Sequence, residues 1–216
     1  MTRRPTDEDI ARYFDRGIDC CAPRRDPAKR PGVKLARLLE KELRAAGLQG
    51  RGVLELGCGR GELSADLARA GAARVTGMDL SPDNIEAARR MSSEDGLNDR
   101  LEFRVGNAAI ADLASHDVIV HHRVICCYPD PTGFLHNSIE ASGSVYGFSM
   151  PRSTGLVGIV VRLALFFENL GHRFKRRGFR AYVHDERLVD ATVRSAGFRL
   201  TGRSNRGGWF AAVYAK

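Results

Sequence analysis

From Gly32 onward the apolar residues recur in two alternating periods. Leu35, Leu38, Leu39 and Leu43 sit three and four apart, which predicts a helix that Gly47 stops. Gly52–Leu56 predicts a buried strand, and Leu63, Leu67 and Ala70 predict a helix over Glu62–Ala70. Arg74–Met78 is a second strand, after which Ser81 and Pro82 open a helix carrying Ile85, Ala88 and Met91. Leu101–Val105, Asp117–Val120 and Ser144–Phe148 are further strands, separated by helical segments near Ala109–Ala114 and Pro131–Glu140. Helices over Gly155–Gly171 and Asp185–Ala196 precede two closing strands, Phe198–Thr201 and Trp209–Tyr214. Strand followed by helix, five times over, demands parallel pairing through right-handed crossovers, hence a doubly wound α/β sheet. Upstream, Glu8–Phe14 makes a short helix with Ile10, Tyr13 and Phe14 on one side, and three prolines punctuate the charged stretch Cys21–Gly32. Residues 1–31 therefore read as an N-terminal extension able to close over a substrate, and 32–216 as one domain with an insertion around 150–180.

Composition narrows the choice of partners. The 216 residues, 43% of them hydrophobic, suffice for one full core. Against 26 Asp and Glu stand 34 Lys and Arg, a formal charge of +8. The excess is concentrated in two clusters, Arg24, Arg25, Lys29, Arg30 and Lys34, then His172, Arg173, Lys175, Arg176, Arg177 and Arg180. Such clusters suit nucleic acid, an anionic membrane surface or an acidic small substrate; the bland reading is a solvated basic face. The five cysteines, with adjacent pairs at Cys20–Cys21 and Cys126–Cys127 and no CxxC spacing, give neither a disulfide framework nor a metal site. A charged segment, Thr2–Glu8, stands where a signal peptide would have its apolar core, so a cytoplasmic protein is expected. The longest apolar stretch, Leu156–Phe167, carries Arg162 and falls short of the roughly 20 residues of a membrane span. That stretch is expected to pack into the core; its alternatives are a wall or lid for a large apolar acid, or a membrane-surface contact.

Chemistry enters at Val53-Leu54-Glu55-Leu56-Gly57-Cys58-Gly59-Arg60-Gly61-Glu62, where an apolar strand runs through three glycines into a helix. Glycines there let backbone approach a ligand closely. The spacing is GxGxG; Glu62 stands where a dinucleotide fingerprint has its third glycine, and its carboxylate would repel a pyrophosphate. No Gly-Lys-Ser/Thr follows, which excludes a Walker loop. With Glu55 just before the turn, the loop suits a ligand with a cationic end, such as S-adenosylmethionine. Asp79, ending the second strand, can accept hydrogen bonds from both hydroxyls of a ribose, and Asn107, just past the third, can bond an adenine amino group.

The segments VLELGCGRGELS and GMDLSPDNIEAAR resemble the first two motifs of class I S-adenosylmethionine-dependent methyltransferases. That resemblance covers residues 33 to 130. It implies a Rossmann-like methyltransferase fold, a seven-stranded, mostly parallel sheet with an antiparallel last strand, matching the closing hairpin. It also implies that Glu55, Leu56, Gly57, Cys58 and Gly59 border the methionine part of the cofactor, Asp79 the ribose, and Leu80, Asn107, Ala108 and Ala109 the adenine. His121 to Arg123, and His122 within them, would form the pocket edge at strand four. Asn107 replaces that family's usual Asp, and an amide can still donate and accept. A narrower similarity, to magnesium-protoporphyrin IX methyltransferases, rests on Tyr13-Phe14-Asp15, Cys127-Tyr128-Pro129, Arg180-Ala181-Tyr182-Val183-His184-Asp185-Glu186 and the aromatic pair Trp209-Phe210. Cys127 departs from that family, which has His at that position.

Methyl transfer from a sulfonium asks mainly for positioning, so the expected reaction is O-methylation of a small apolar organic acid or phenol. Tyr13, His122 and His184 are the candidate catalytic or positioning residues, with His121 a further candidate base. The other readings are an RNA methyltransferase using the basic clusters, disfavoured because Cys127-Tyr128-Pro129-Asp130 stands where an amino-directed enzyme has Asn/Asp-Pro-Pro-aromatic, and a non-catalytic, cofactor-binding assembly partner.

Overall fold

The computed structural model describes residues 5–15, 32–175 and 178–216. Cys20, Cys21, Arg24, Arg25, Lys29, Arg30, Arg176, Arg177 and the proline-rich stretch lie outside the described residues. In chain order the elements are α1 (Asp7–Asp15), α2 (Val33–Ala45), β1 (Gly52–Leu56), α3 (Glu62–Arg69), β2 (Arg74–Asp79), α4 (Pro82–Glu94), β3 (Leu101–Val105), β4 (His116–His122), α5 (Thr132–Glu140), β5 (Ser142–Pro151), α6 (Gly155–Phe174), α7 (Glu186–Ser195), β6 (Arg199–Arg206) and β7 (Trp209–Ala215).

The strands form one seven-stranded sheet in the order β3-β2-β1-β4-β5-β7-β6. β1 to β5 run parallel, and β7 enters antiparallel between β5 and β6. This is the doubly wound sheet the sequence pattern predicts, with the antiparallel strand the resemblance implies. Strand order reverses between β1 and β4, and there the carboxyl ends of the strands open a crevice.

Both faces of the sheet are covered, which is why its central strands are apolar without alternation. On one face α2, α3 and α4 bury Leu35, Leu39, Leu43, Leu67 and Ile85 against Val53, Val118 and Val120. On the other, α5 and α7 bury Phe134, Ile139, Val189 and Val193 against Ile119, Tyr146 and Phe148. Full burial of a leucine such as Leu39 contributes roughly 1.5–3 kcal/mol. α2 lies close over β5 because Gly147 has no Cβ; one would come within 2.9 Å of Leu43 Cδ2.

Two expectations fail. Ala109–Ala114 is a single turn and no helix, because the Asn107 side chain accepts from the Ala109 amide (2.9 Å) and the Asn107 carbonyl takes the Ile110 and Ala111 amides. α6 is not core-packed. In the folded chain α2 to α5 and α7 cover both sheet faces, and α6 lies across the carboxyl edge, with only Gly158 and His172 buried. Leu156, Val160, Phe166 and Phe167 are 82, 64, 62 and 66% exposed. At 20 residues it is also longer than the apolar stretch suggested, and long and apolar enough to cross a membrane by length and composition.

Candidate active site

The carboxyl ends of β1, β2, β3 and β4 open into a cavity of about 480 Å³, roofed by α1 and α6. At one end its wall is backbone. Gly57, Gly59 and Gly61 have φ of 68, 54 and 78°, a left-handed conformation that side chains disfavour. Their jobs differ. A Cβ on Gly57 would lie 2.4 Å from Val124 Cγ2 and one on Gly61 2.6 Å from Phe103 Cζ, whereas one on Gly59 would meet nothing within 4 Å and project into the cavity. The amides of Gly57 and Cys58 both donate to the Met78 carbonyl, at 2.7 and 3.0 Å, and that of Gly61 to the Cys58 carbonyl. The Gly59 amide donates to Asp79 Oδ2 at 2.8 Å. These donors are spent on the fold, so the loop is no anion cradle, as Glu62 already implied.

The acidic groups sit where a cationic ligand with a diol would want them. Asp79 Oδ1 accepts from the Ser81 amide at 2.9 Å, so each carboxylate oxygen is fixed by one backbone N–H and keeps lone pairs for a further donor. Burial raises the Asp79 pKa, against the pull of the Ser81 and Gly59 amides. Glu55 is buried and accepts a 2.5 Å hydrogen bond from Ser64 Oγ. Burial pushes its pKa up to about 8 despite that bond, with Asp79 and Asp66 adding to the rise. Burial likewise pushes the Cys58 thiol well up.

α1 begins at a capping box: Thr6 Oγ1 accepts from the Asp9 amide (3.3 Å) while Asp9 Oδ2 accepts from the Thr6 amide (2.9 Å). It crosses the ends of β2 and β3, tied by Ser81 Oγ donating to Asp15 Oδ1 at 2.6 Å and by Asn107 Nδ2 donating to Asp7 Oδ2 at 2.7 Å. Ile10, Tyr13 and Phe14 thereby face the cavity. Tyr13 stacks on Phe179 (centroids 4.2 Å apart, 14° between planes) and meets His172 of α6 edge-on.

The other end is built of side chains. His122, last in β4, has Nδ1 2.8 Å from Ser149 Oγ, which itself accepts from the Arg123 amide at 3.1 Å. The other ring nitrogen, Nε2, lies next to Gly32, and a neutral imidazole that accepts from the Ser149 hydroxyl at Nδ1 would carry its proton there. Burial, with the Arg123 charge second, lowers the His122 pKa to about 3, so it is a hydrogen-bond donor and no base at neutral pH. Arg123 is the one described non-glycine residue with positive φ, 62°, and its guanidinium lies 4.9 Å from the Trp209 ring centroid. Such strain costs of order 1–3 kcal/mol and concentrates at functional sites. Leu165 and Glu168 from α6 and Trp209 from β7 close the wall. Cys126 and Cys127 line it too, both buried, their thiols donating to the Arg123 carbonyl at 3.4 and 3.7 Å.

Of the residues singled out in the sequence, Tyr13, Glu55, Gly57, Cys58, Gly59, Asp79, Leu80, Ala108 and His122 line the cavity. Leu56, Asn107, Ala109 and His184 do not. Leu56 is in the core, and Asn107 spends its amide on α1 and on the turn after β3. His184 Nε2 lies 3.0 Å from the Tyr128 carbonyl, which ties down the segment between α6 and α7. His121 is core as well, wedged between Phe134 and Phe148 with Nε2 3.0 Å from the Tyr146 hydroxyl. Among the described residues no three His, Cys, Asp or Glu gather to hold a metal. Arg123 lines the cavity at the strand-four edge where the resemblance puts it, and Leu165 does so within the stretch for which a wall is one reading; Phe179 as a wall and Arg123 as a strained residue were not foreseen.

Residues 49–155 match the family described as Methyltransferase domain. Sheet order, antiparallel β7 and a glycine loop facing Asp79 are those of the class I S-adenosylmethionine-dependent methyltransferase fold, and the resemblance read from the two motifs is borne out. Among curated relatives, the ubiquinone biosynthesis O-methyltransferase of Erwinia tasmaniensis is 32% identical over 114 residues, 51% of this chain and 46% of that one. The ribosomal protein L11 methyltransferase of Edwardsiella ictaluri is 29% identical over 130 residues, 60% and 40% of the two chains. Among solved structures, magnesium protoporphyrin IX methyltransferase from Synechocystis, with bound S-adenosylmethionine, superposes with a TM-score of 0.71 over 100% of both chains at 20% identity. The chain spans about half the length of the curated relatives it matches.

Proposed function

We propose that this protein is an S-adenosylmethionine-dependent O-methyltransferase whose acceptor is a small organic acid with a broad apolar body, methylated on a carboxylate. Asp79, its two oxygens each fixed by one backbone amide, is placed to take a ribose diol. Gly59 leaves the cavity open beside it, and an ammonium group bound next to Glu55 would favour loss of the proton that burial holds there. Bound S-adenosylmethionine supplies a methyl group already activated on a sulfonium. This chain's part is to place the acceptor and keep water out. Tyr13, Phe14 and Phe179 roof the cavity, Arg123 pairs with the acid, and the His122 Nε2–H donates to an acceptor oxygen. A carboxylate is ionised at neutral pH and asks for no base, which accords with a histidine held near 3.

The observation that carries the acceptor class is Arg123, held at φ 62° with its guanidinium over Trp209, in a chamber whose other walls are mostly apolar and include one carboxylate, Glu168. The names of a ubiquinone biosynthesis O-methyltransferase and a magnesium protoporphyrin IX methyltransferase among the similar proteins support a bulky small-molecule acceptor; a ribosomal protein L11 methyltransferase among them keeps the test broad. The test is transfer of labelled methyl to a panel of tetrapyrrole acids, phenolic acids and RNA. The expected product is an ester, released by mild base. Label in RNA and in none of the small molecules overturns the reading.

A further inference from the structure

We infer that the outer face of α6 is a docking surface for an anionic lipid bilayer. From Leu156 to Phe174 the apolar side chains of α6 recur at steps of three and four, Leu156, Ile159, Val160, Leu163, Phe166 and Phe167 among them, each more than half exposed. At 100° per residue these positions fall within an arc of about 120°, a continuous stripe about 27 Å long. A patch of that extent is larger than scattered surface leucines account for.

The opposite face of the same helix is pinned to the protein. Gly158 is so close to Ser153 that a Cβ would come within 2.4 Å of its carbonyl carbon, and a Cβ on Gly208, in the β6–β7 turn, would lie 2.7 Å from Val161 Cγ2. The Asn169 amide exchanges two 2.8 Å hydrogen bonds with the Ala181 backbone, and His172 packs on Tyr13 and Phe179. A helix held this way lies in the plane of an interface; it does not cross it.

Charge selects the occupant. Immediately past the stripe come Arg173, Lys175, Arg176, Arg177 and Arg180, and no Asp or Glu occurs between Glu168 and Asp185. A cluster of cations beside an apolar helix face complements the negative surface of an anionic leaflet. Arg162 and Arg173, both exposed, flank the stripe with no carboxylate on its edge to receive them from a second copy of this chain. Because Leu165 and Glu168 of the same helix line the cavity, a bilayer on the outer face sets the acceptor chamber one helix away from lipid. An acceptor with an apolar body then reaches the chamber without leaving the interface; this last step rests on the proposed acceptor class, the docking does not.

The experiment is flotation of the full chain with phosphatidylcholine vesicles with and without phosphatidylglycerol, alongside calorimetry with S-adenosylhomocysteine. The wild type should float with the anionic vesicles and far less with the neutral ones, and added salt should weaken it. Phe166→Glu with Phe167→Glu should lower the partition coefficient about tenfold or more while leaving S-adenosylhomocysteine affinity unchanged. If that variant misfolds, Arg173→Glu with Lys175→Glu, measured on the same vesicles, gives the second reading, with a drop expected there too. The inference is overturned if the wild type stays at the bottom of the gradient with anionic vesicles, if the folded variants float as well as the wild type, or if sedimentation equilibrium finds a dimer that the Phe variant splits and no vesicle binding. Failure of the wild type to bind S-adenosylhomocysteine would instead overturn the methyltransferase reading and leave flotation untouched.

Discussion

The cavity's two ends are made of different material. At the β1–β2 end the wall is main chain: three left-handed glycines, two with amides spent on β2 and the third, Gly61, on the Cys58 carbonyl, and one carboxylate clamped by two backbone donors. At the β4–β5 end it is side chains from stretches far apart in the chain, Tyr13, Arg123, Leu165, Phe179 and Trp209. The backbone wall admits no extra atom at Gly57 or Gly61, whereas a side-chain wall can be rewritten residue by residue without disturbing the sheet. On the proposed reading, the first end would hold the cofactor, and the second, which substitution can reshape, the acceptor.

Four changes break or sharpen that contrast. The largest effect belongs to Gly59→Val, whose side chain would occupy the open cavity; binding of S-adenosylhomocysteine, measured by calorimetry, should vanish while the circular dichroism spectrum stays folded. Gly57→Val, by contrast, meets Val124 and should fail as a fold, so the pair separates a ligand wall from a packing wall. Next comes Asp79→Ala, which leaves the ribose hydroxyls without their acceptor and should weaken S-adenosylhomocysteine by about 30-fold or more. A loss under about threefold would mean that another group holds the sugar.

The third change reads out Glu55 through pH. Its folded pKa of about 8 lies above the ordinary 4.5, so the folded chain holds a proton that the unfolded chain releases, and stability drains away as pH rises toward 8. His121 and His122, lowered from 6.5 to about 3, act the other way, but only below pH 6.5. Cys126, whose pKa is lowered through its contact with Cys127, also opposes Glu55, so the readout is a difference between variants. From pH 6.5 to 8 the ligand-free wild type should lose about 2 kcal/mol relative to Glu55→Gln, seen as a falling Tm that the variant lacks. The smallest effect is at the side-chain end. Arg123→Gly removes the guanidinium and relieves φ 62° together; Tm should hold or rise, S-adenosylhomocysteine affinity should not move, and KM for acidic acceptors should rise about tenfold.

The same contrast decides what could be read before the structure. Backbone conformations that only glycine tolerates leave a mark in the sequence, and contiguous strand ends put Glu55, Gly57, Gly59 and Asp79 at countable spacings. The resemblance puts Arg123 at the pocket edge, but its strain leaves no mark, since a strained arginine looks like any other until its φ is known. His121 and His122 are adjacent, and strand alternation says that one faces each side of the sheet; with both sides covered, it does not say which side reaches the cavity. The α6 segment reads as apolar around most of its circumference and is expected in the core; that it lies outside it depends on α5 and α7 covering that face of the sheet, which the local pattern does not reveal.

The two hydrogen bonds that hold α1 over β2 and β3, Ser81 to Asp15 and Asn107 to Asp7, set a clock as well as a shape. α1 can lift from the ends of β2 and β3 only when both let go, so together they set how often that end of the cavity opens. Each bond is worth only about 1 kcal/mol net, so opening is a frequent local event rather than an unfolding one. A turnover rate limited by that opening would rise in Asp7→Ala even as affinity for the spent cofactor fell.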